Sequence, residues 1–294
     1  MFLVTGSTGQ LGRRIVRHAL ERGRTVRAFA RLQSDYRELE HWGAEICVGN
    51  LRDRDDIRRA CRGVKAIVSA HGSGQARDGA EALDYRANMQ LLDAAQVEGV
   101  EHFGFISVLG SDRDYPDAPV FKAKAAFERA LQASSLNYTI LRPSGFASNV
   151  RRLAEQFRTT GTYLLIGEGA HRTSIVSTDD LAQMVAIAPD IEPARRQVFP
   201  VGGPDILRRE DIPVLFGRLF EREPVVIRVP LMGFDLGRSL ASVFDADLYR
   251  SLGTVRTLLA HEFYCTPAET DRVREVFDLP LESLEHYLRR YLNL

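Results

Sequence analysis

The sequence predicts an α/β fold: a doubly wound parallel sheet with helices on both faces, followed by a smaller, mostly helical C-terminal lobe. Short apolar or β-branched runs alternate with longer helical patterns through the first half of the 294 residues, which is typical of a parallel sheet. A glycine-rich turn joins the first of these runs to the first helical pattern. Beyond about residue 150 the alternation ends and helical periodicity dominates. The length allows one large domain, or one domain with a smaller appendage.

Six runs in the first half are predicted to be strands, and the segments between them are predicted to be helices. The strands are FLVT, TVRAFA, AEICVG, KAIVSA, HFGFIS and YTILRP. The helical patterns lie near residues 10–22, 35–42, 54–62, 80–98 and 117–134. We therefore expect residues 1–150 to form the sheet domain.

The second half is predicted to form a lobe that stays interleaved with this domain. The run QVFPV, near residues 196–201, is expected to return to the sheet, so residues 151–294 form the lobe without a clean linker. A glycine-rich strand pair is expected around 161–176, and the chain from about 205 onward is expected to be mostly helical. The apolar stretch RVPLMGFDLG is expected either to line a substrate pocket or, preferably, to pack in the core.

Composition excludes several classes of protein. The 39 basic residues balance 39 acidic ones without a dense Lys/Arg run, which argues against a nucleic-acid partner. The three cysteines lack CxxC or Cys/His spacing, so neither a disulfide framework nor a structural metal site is expected. No apolar run approaches membrane-spanning length, and the strand-like MFLV at position 1 leaves no room for a signal peptide. We expect a cytoplasmic protein without membrane contact.

The turn after the first strand has the features of a phosphate-binding loop. In VTGSTGQLGRRI, Gly6, Gly9 and Gly12 recur at three-residue intervals. The tight turn, the backbone approach to a pyrophosphate and the packing of helix on strand each favour a residue without Cβ. The following helix start offers free N–H groups to phosphates. The sequence therefore predicts that a dinucleotide binds to the whole segment: Gly6, Ser7, Thr8, Gly9, Gln10, Leu11 and Gly12.

The end of the second strand favours NADP as the dinucleotide. NAD sites usually place a carboxylate there for the ribose 2′-hydroxyl, whereas NADP sites place an arginine near the 2′-phosphate. Here the strand ends RAFARLQ, which has no carboxylate and carries Arg31. NADP is preferred, and NAD is the less favoured alternative.

Several motifs in order resemble the atypical short-chain dehydrogenase/reductases, and within them the NmrA-like NAD(P)-binding branch. They are TGxxGxxG, GN-LRD at 49–53, GVKAIVSA at 63–70, HFGFISVLGS at 102–111 and YTILRPSGF at 138–146. The resemblance covers about residues 1 to 205. It implies a Rossmann domain that binds NADP and a C-terminal lobe that binds substrate.

The resemblance also implies roles for residues at the ends of later strands. Asn50, followed by Leu51, is either an adenine ligand or a turn residue. His71 is expected at the cofactor rim rather than as an acid or base. Ser107 is expected to orient a substrate carbonyl, although a hydroxyl that satisfies the backbone is an equal alternative. The other residues expected to flank the cofactor are Ser69, Ala70, Pro143, Ser144, Gly145 and Phe146.

The clearest departure from the family pattern concerns its YxxxK tyrosine. Only three of the 39 basic residues are lysines, and PVFKAKAAFERAL contains two of them. By resemblance Lys124, expected to pair with Glu128 four residues later, binds the nicotinamide ribose, and Lys122 is surface decoration. The tyrosine position holds Val120, which has no proton to give.

Two main functions remain open on these grounds, and an isomerase or epimerase that uses a resident cofactor is a minor third. One is an NADPH-dependent oxidoreductase that reduces a small apolar carbonyl, enone, imine or quinone-like substrate without the usual tyrosine. The other is a non-catalytic NADP(H) sensor or assembly factor with a protein partner. The substrate and the partner are not specified by the sequence.

Overall fold

Eleven strands and twelve α-helices are found in the part of the chain that this computed structural model describes, residues 1–72, 79–244 and 246–294. The strands are β1 (Phe2–Thr5), β2 (Val26–Ala30), β3 (Glu45–Val48), β4 (Ala66–Ser69), β5 (His102–Ile106), β6 (Asn137–Pro143), β7 (Thr162–Ile166), β8 (Arg172–Thr173), β9 (Gln197–Val201), β10 (Leu207–Arg208) and β11 (Val225–Val229). The helices are α1 (Gln10–Glu21), α2 (Arg37–His41), α3 (Arg54–Cys61), α4 (Asn88–Val97), α5 (Pro119–Ala133), α6 (Ala147–Thr160), α7 (Thr178–Ile187), α8 (Asp211–Leu219), α9 (Leu231–Phe244), α10 (Ala246–Ala260), α11 (Pro267–Phe277) and α12 (Leu284–Leu292). A π-helix, Ala80–Ala87, runs directly into α4, and two 3-10 turns, Ala188–Asp190 and Glu192–Ala194, follow α7.

Seven of the described strands form one parallel sheet in the order β3-β2-β1-β4-β5-β6-β9. The predicted doubly wound α/β class is therefore confirmed, and QVFPV occupies the outer position beside β6. The strand order reverses direction between β1 and β4. At such a reversal the flanking connections diverge and leave a crevice at the carboxyl ends of the strands. This crevice is the place where the fold itself favours a ligand.

Helices cover both faces of the sheet because alternate strand residues point to opposite sides. Phe2 and Val4 join one buried cluster with α1 and α7, and Leu3 joins a second cluster with α3, α4 and α5. The strand β5 is buried along its whole length, so its sequence is a nearly continuous apolar run rather than an alternation.

The prediction that two strands within residues 161–176 pair with each other is wrong. β7 pairs in parallel with β11, and β8 pairs antiparallel with β10. Gly167 continues the ladder from β7, because its N–H donates to the Val229 carbonyl oxygen at 2.9 Å. The distant apolar run VVIRV thus replaces the local hairpin partner. The predicted helical character of the C-terminal region is confirmed by α8 to α12.

The stretch RVPLMGFDLG lies mostly in α9, and much of its apolar surface is exposed. Met232, Leu236 and Leu240 repeat at four-residue spacing along the helix and are 81%, 65% and 59% exposed. The preference for core packing is therefore wrong for this stripe. Among the described residues, no helix combines the length and the apolar character needed to span a bilayer.

Candidate functional site

A cavity of about 320 Å³ lies at the carboxyl edge of the sheet, where the strand order reverses between β1 and β4. It is lined by the turn after β1 and by the segments that follow β2, β3 and β4. The lining residues are Gly6, Thr8, Gly9, Phe29, Arg31, Asn50, Leu51, Ala70, His71, Gly72 and Leu83. The structure therefore brings together many of the residues predicted from the glycine loop and from the first three later strand ends.

The three glycines of the loop have different steric roles. Gly6 has φ +68°, and a Cβ there would lie 2.7 Å from the Ala70 carbonyl oxygen. A Cβ on Gly12 would lie 2.0 Å from the Gly6 carbonyl oxygen, so α1 packs on the turn only because this position is bare. Gly9 is different, because a Cβ there would approach only the Gly6 oxygen, at 3.3 Å. The bare Gly9 position therefore leaves space in the cavity, and the packing of the fold does not require it.

The N-terminus of α1 faces this loop without a side-chain cap among the described residues. Gly9 is the N-cap, its side chain is absent, and the first turn carries no acidic residue. Uncapped N–H groups at a helix start, together with the positive end of the helix dipole, attract phosphate. Ser7 is fully buried and donates its hydroxyl to the Phe29 carbonyl oxygen at 2.8 Å, which fixes the loop to β2.

Arg31 contributes a cationic side chain to the cavity lining. It follows β2, is exposed, and has no ion pair within the described ranges. Asn50 accepts a hydrogen bond from the Arg52 N–H at 3.0 Å through its side-chain oxygen, so it is a turn residue. Asn50 also lines the cavity beside Leu51. Both of the roles considered for Asn50 are thus compatible with its position.

His71 belongs to a buried polar network that fixes the end of β4. Its Nε2 lies 2.9 Å from the Leu83 carbonyl oxygen, so this nitrogen must carry the proton, and Nδ1 accepts from the Thr5 hydroxyl at 2.8 Å. Ser69 donates to the Asn88 side-chain oxygen at 2.6 Å. Burial lowers the pKa of His71 to about 4, so the ring is neutral near pH 7. This chemistry suits a structural rim residue better than an acid or base.

The expected pair between Lys124 and Glu128 is wrong. Lys124 is buried, donates to the Ile106 carbonyl oxygen at 2.9 Å, and lies 3.2 Å from the carboxylate of Asp84 on the π-helix. Glu128 instead forms a bidentate pair with Arg142 of β6, with Arg142 Nη2 2.5 Å from Glu128 Oε2. Helical spacing allows the i,i+4 contact, but each side chain pairs with an oppositely charged group on another element.

Ser107 contacts the same buried carboxylate. Its hydroxyl donates to Glu128, and Ser111 donates to the same oxygen at 2.8 Å. The Ser107 hydroxyl therefore donates to a side-chain carboxylate, and the alternative that this hydroxyl satisfies the backbone is wrong. Arg142 also pairs with Asp112 at 2.6 Å and connects β6 to the loop after β5.

The residues after β6 lie at the same edge of the sheet but do not line the cavity. Ser144 donates its N–H to the Val201 carbonyl oxygen at 2.9 Å, and the Gly145 carbonyl accepts from Val176 at 3.0 Å. Pro143 ends β6 and Phe146 is the N-cap of α6. Gly145 is spacious, since the nearest atom to a Cβ there is 4.0 Å away. These four residues and Lys124 extend the edge beyond the cavity toward β9.

Position 120, where the family pattern has tyrosine, carries a valine without a side-chain hydroxyl. Val120 is half-buried and donates its N–H to Thr254 at 3.4 Å. Tyr115 packs edge-on against Phe121 and lines a separate groove of about 770 Å³ together with the exposed Lys122.

The main residue that sequence reasoning missed is Asp84. It is fully buried, although it lies in a segment that was predicted only as a helix. A signal was present, because Asp84 and Asn88 interrupt the otherwise apolar face that continues through Leu91 and Ala95. Polar residues on a buried helix face usually have an assigned partner.

The bare glycine turn, the uncapped helix start and the adjacent cavity at the strand-order reversal define a dinucleotide-binding protein of the Rossmann type. Their donor set fits a pyrophosphate, and the Gly9 position leaves room for one.

Comparison with known proteins identifies the family. A family model described as NAD(P)H-binding matches residues 6–189, so the chain belongs to the NAD(P)H-binding family, and the resemblance inferred from the motifs is confirmed. The chain is 30% identical to the photosystem II assembly factor Ycf39 of Cyanophora paradoxa, over 99% of this chain and 92% of that protein. It is 32% identical to the chloroplastic divinyl chlorophyllide a 8-vinyl-reductase of Oryza sativa subsp. indica, over 82% of this chain and 65% of that protein.

Solved structures agree on the fold. The NADPH-dependent quinone oxidoreductase of Escherichia coli, complexed with NADPH, superposes with a TM-score of 0.80 at 17% identity over the whole of both chains. The triphenylmethane reductase of Citrobacter sp., complexed with NADP(H), superposes with a TM-score of 0.79 at 17% identity over 99% of both chains.

Proposed function

We propose that the protein is an NADPH-dependent oxidoreductase that reduces a small apolar carbonyl, enone, imine or quinone-like substrate. The observation that carries the proposal is the cavity at the strand-order reversal, where the bare Gly9 and the uncapped start of α1 meet. In this proposal residues 1–150 hold the cofactor and residues 151–294 supply the substrate lobe.

NADP rather than NAD is proposed as the cofactor because of Arg31. This side chain lines the cavity after β2, where the ribose 2′-position of a bound dinucleotide is recognised in this fold. A guanidinium without an internal ion pair favours a phosphate over a hydroxyl, and no carboxylate lines the described part of the cavity.

Lys124 is the proposed proton donor and ribose ligand. A bound nicotinamide would supply hydride. Val120 has no exchangeable side-chain proton, whereas Lys124 has three N–H groups, of which one donates to the Ile106 carbonyl oxygen. The ammonium also forms an ion pair with Asp84, and it makes no other hydrogen bond among the described residues. Ser107 is proposed to help orient the substrate only through the Glu128 network that fixes the edge of β5.

Stopped-flow measurement of NADPH oxidation across carbonyls, enones, imines and quinones tests this function. We expect turnover with at least one class, and slower turnover with NADH. Lys124→Arg is expected to weaken NADPH binding, because a forked guanidinium does not fit the buried site between Asp84 and Ile106. Lys122→Arg is the matched control and is expected to be silent, since Lys122 is exposed. Tight NADPH binding without oxidation by any acceptor would contradict the proposal.

A second candidate is an NADP(H)-responsive assembly or regulatory protein. It is favoured by the exposed apolar stripe of α9, formed by Met232, Leu236 and Leu240, and by the full-length similarity to relatives named assembly factors. Monomeric soluble proteins rarely leave such contiguous apolar patches uncovered. In this candidate the cofactor regulates the affinity for a protein partner, and the chain performs no turnover.

Partner capture with and without NADPH separates the two functions. Regulation predicts a partner whose recovery changes with NADPH and falls when Leu236 is replaced by aspartate, without any acceptor-dependent oxidation. Unchanged recovery together with turnover would exclude this candidate. A cytoplasmic location is also proposed for this protein. Two relatives differ in this respect, because their names place them in the chloroplast.

A further inference from the structure

Asp84 is a buried carboxylate at the edge of the sheet for which the cofactor cavity gives no explanation. Its side chain is 0% exposed, and its oxygen lies 3.2 Å from the Lys124 ammonium nitrogen. It sits in the middle of the π-helix, a helix type that is rare and frequently occurs at functional sites. The sequence gives no local reason for a charge here, because the neighbouring helix face is apolar.

A buried ammonium requires a countercharge, and Asp84 is the carboxylate that the described structure places against Lys124. The side chain of Lys124 is only 10% exposed, and its nitrogen also lies 5.0 Å from the centre of the Phe105 ring. Asp84 on one side and the Ile106 carbonyl on the other therefore hold the ammonium at the end of β5. The Ile106 carbonyl takes one of the three N–H donors and Asp84 supplies the countercharge as an ion pair, which leaves a donor for another acceptor.

The position of Asp84 is fixed by the network at the end of β4. Asn88 donates its side-chain amide to the Asp84 backbone carbonyl at 2.9 Å, and His71 donates to the adjoining Leu83 carbonyl at 2.9 Å. His71 also lines the cavity and is neutral near pH 7. Through its hydrogen bond to Leu83, the cavity wall is connected to the segment that carries Asp84. A change at Asp84 should therefore be felt by whatever occupies the cavity.

We propose that Asp84 is a positioning residue for Lys124: its charge holds the ammonium so that an N–H not used on Ile106 is directed to the nicotinamide ribose and the substrate. This inference rests on the proposed NADPH-dependent function. It goes beyond that function because it assigns the orientation of Lys124 to a carboxylate on the π-helix, in a chain whose tyrosine position holds Val120. Asp84 acts through Lys124 and does not itself touch substrate.

A double-mutant cycle on NADPH affinity tests this inference. Asp84→Asn keeps the shape and removes the charge, and we expect it to raise the dissociation constant of NADPH, measured by fluorescence titration, about tenfold, as for one lost charge-assisted contact. In a Lys124→Met background the same change should alter the dissociation constant by less than about twofold, because the residue through which Asp84 acts is absent. A purely structural Asp84 predicts equal effects in both backgrounds.

Stability controls accompany the affinity measurements. Asp84→Asn removes the countercharge of a buried ammonium and should melt below the wild type, whereas the same change in the Lys124→Met background leaves no buried ammonium behind and should lower the melting temperature less. Glu101→Gln is the matched control, since it breaks the exposed pair between Glu101 and Lys65 and should leave NADPH affinity unchanged.

The outcomes separate this inference from the proposed function. Normal NADPH binding by the wild type, with Asp84→Asn unchanged or with equal losses in both backgrounds, overturns the role of Asp84 alone. No NADPH binding by the wild type overturns the proposed function and this inference together. A tenfold loss that disappears in the Lys124→Met background supports both.

Discussion

Replacing Gly9 by alanine should separate the ligand role of the glycine loop from its folding role. At Gly9 the backbone has φ −79° and ψ 170°, which alanine adopts freely, and the new Cβ would meet only the Gly6 oxygen at 3.3 Å. The entropy gain of about 0.4–1 kcal/mol from losing a glycine in the unfolded chain offsets a similar loss of N-cap preference. We therefore expect the free energy of unfolding to change by less than about 1 kcal/mol. The methyl group would instead occupy the open side of the loop and weaken NADPH binding.

Gly12→Ala is the matched comparison. Its Cβ would lie 2.0 Å from the Gly6 carbonyl oxygen, so α1 must shift away from the loop, at a cost of about 3 kcal/mol or more. Urea unfolding and fluorescence titration with NADPH measure the two effects on the same samples. The expected result is a stable Gly9 variant with poor NADPH binding and a destabilised Gly12 variant. Wild-type NADPH affinity in the Gly9 variant, or equal destabilisation of both variants, would show that the two glycines do not have separate roles.

Three further predictions follow from single side chains. Arg31→Gln should weaken NADPH binding about tenfold or more and leave NADH binding unchanged, because it removes the contact to the 2′-phosphate; an equal loss for both nucleotides in titrations would exclude that role. His102 is buried with a pKa lowered to about 4 from 6.5, chiefly by burial, so its contribution to stability is complete above pH 6.5 and is lost as the pH falls. Relative to the wild type, the free energy of unfolding of His102→Met should therefore be about 2 kcal/mol higher at pH 5 than at pH 8. An identical difference between the two proteins at both pH values would disprove this. Arg142→Met should cost about 3–5 kcal/mol because it leaves Glu128 buried without its cation, whereas Asp112→Asn, at the exposed end of the network, should cost less than about 1 kcal/mol; similar losses would contradict the assignment.

The fold and the cofactor end of the site are the parts that the sequence predicts well. Each strand of the first half has a short apolar core, and each helix has an apolar stripe, so local periodicity gives the element order. The glycine loop is equally local, because three glycines within seven residues perform their steric roles against one another and against the end of β4.

The contacts around Lys124 were not predictable in this way. Helical spacing suggests Glu128 as its partner, but the choice depends on distant elements: β6 brings Arg142 to Glu128, and the π-helix brings Asp84 to Lys124. A π-helix has no simple sequence period, so the position of Asp84 relative to α5 cannot be read from spacing. The prediction of core packing for the apolar stretch in α9 was wrong for another reason. Apolar composition does not specify whether a neighbouring element covers the helix.

The central claim is that NADPH binds at the carboxyl edge between β1 and β4, and hydrogen–deuterium exchange with and without NADPH tests it most directly. Binding at this edge predicts slower exchange in the glycine loop, residues 6–12, at Arg31, Asn50 and Leu51, and through Ala70 to Gly72, with little change at the exposed helix α9. Unchanged exchange at saturating NADPH, or protection confined to the C-terminal lobe, would contradict it.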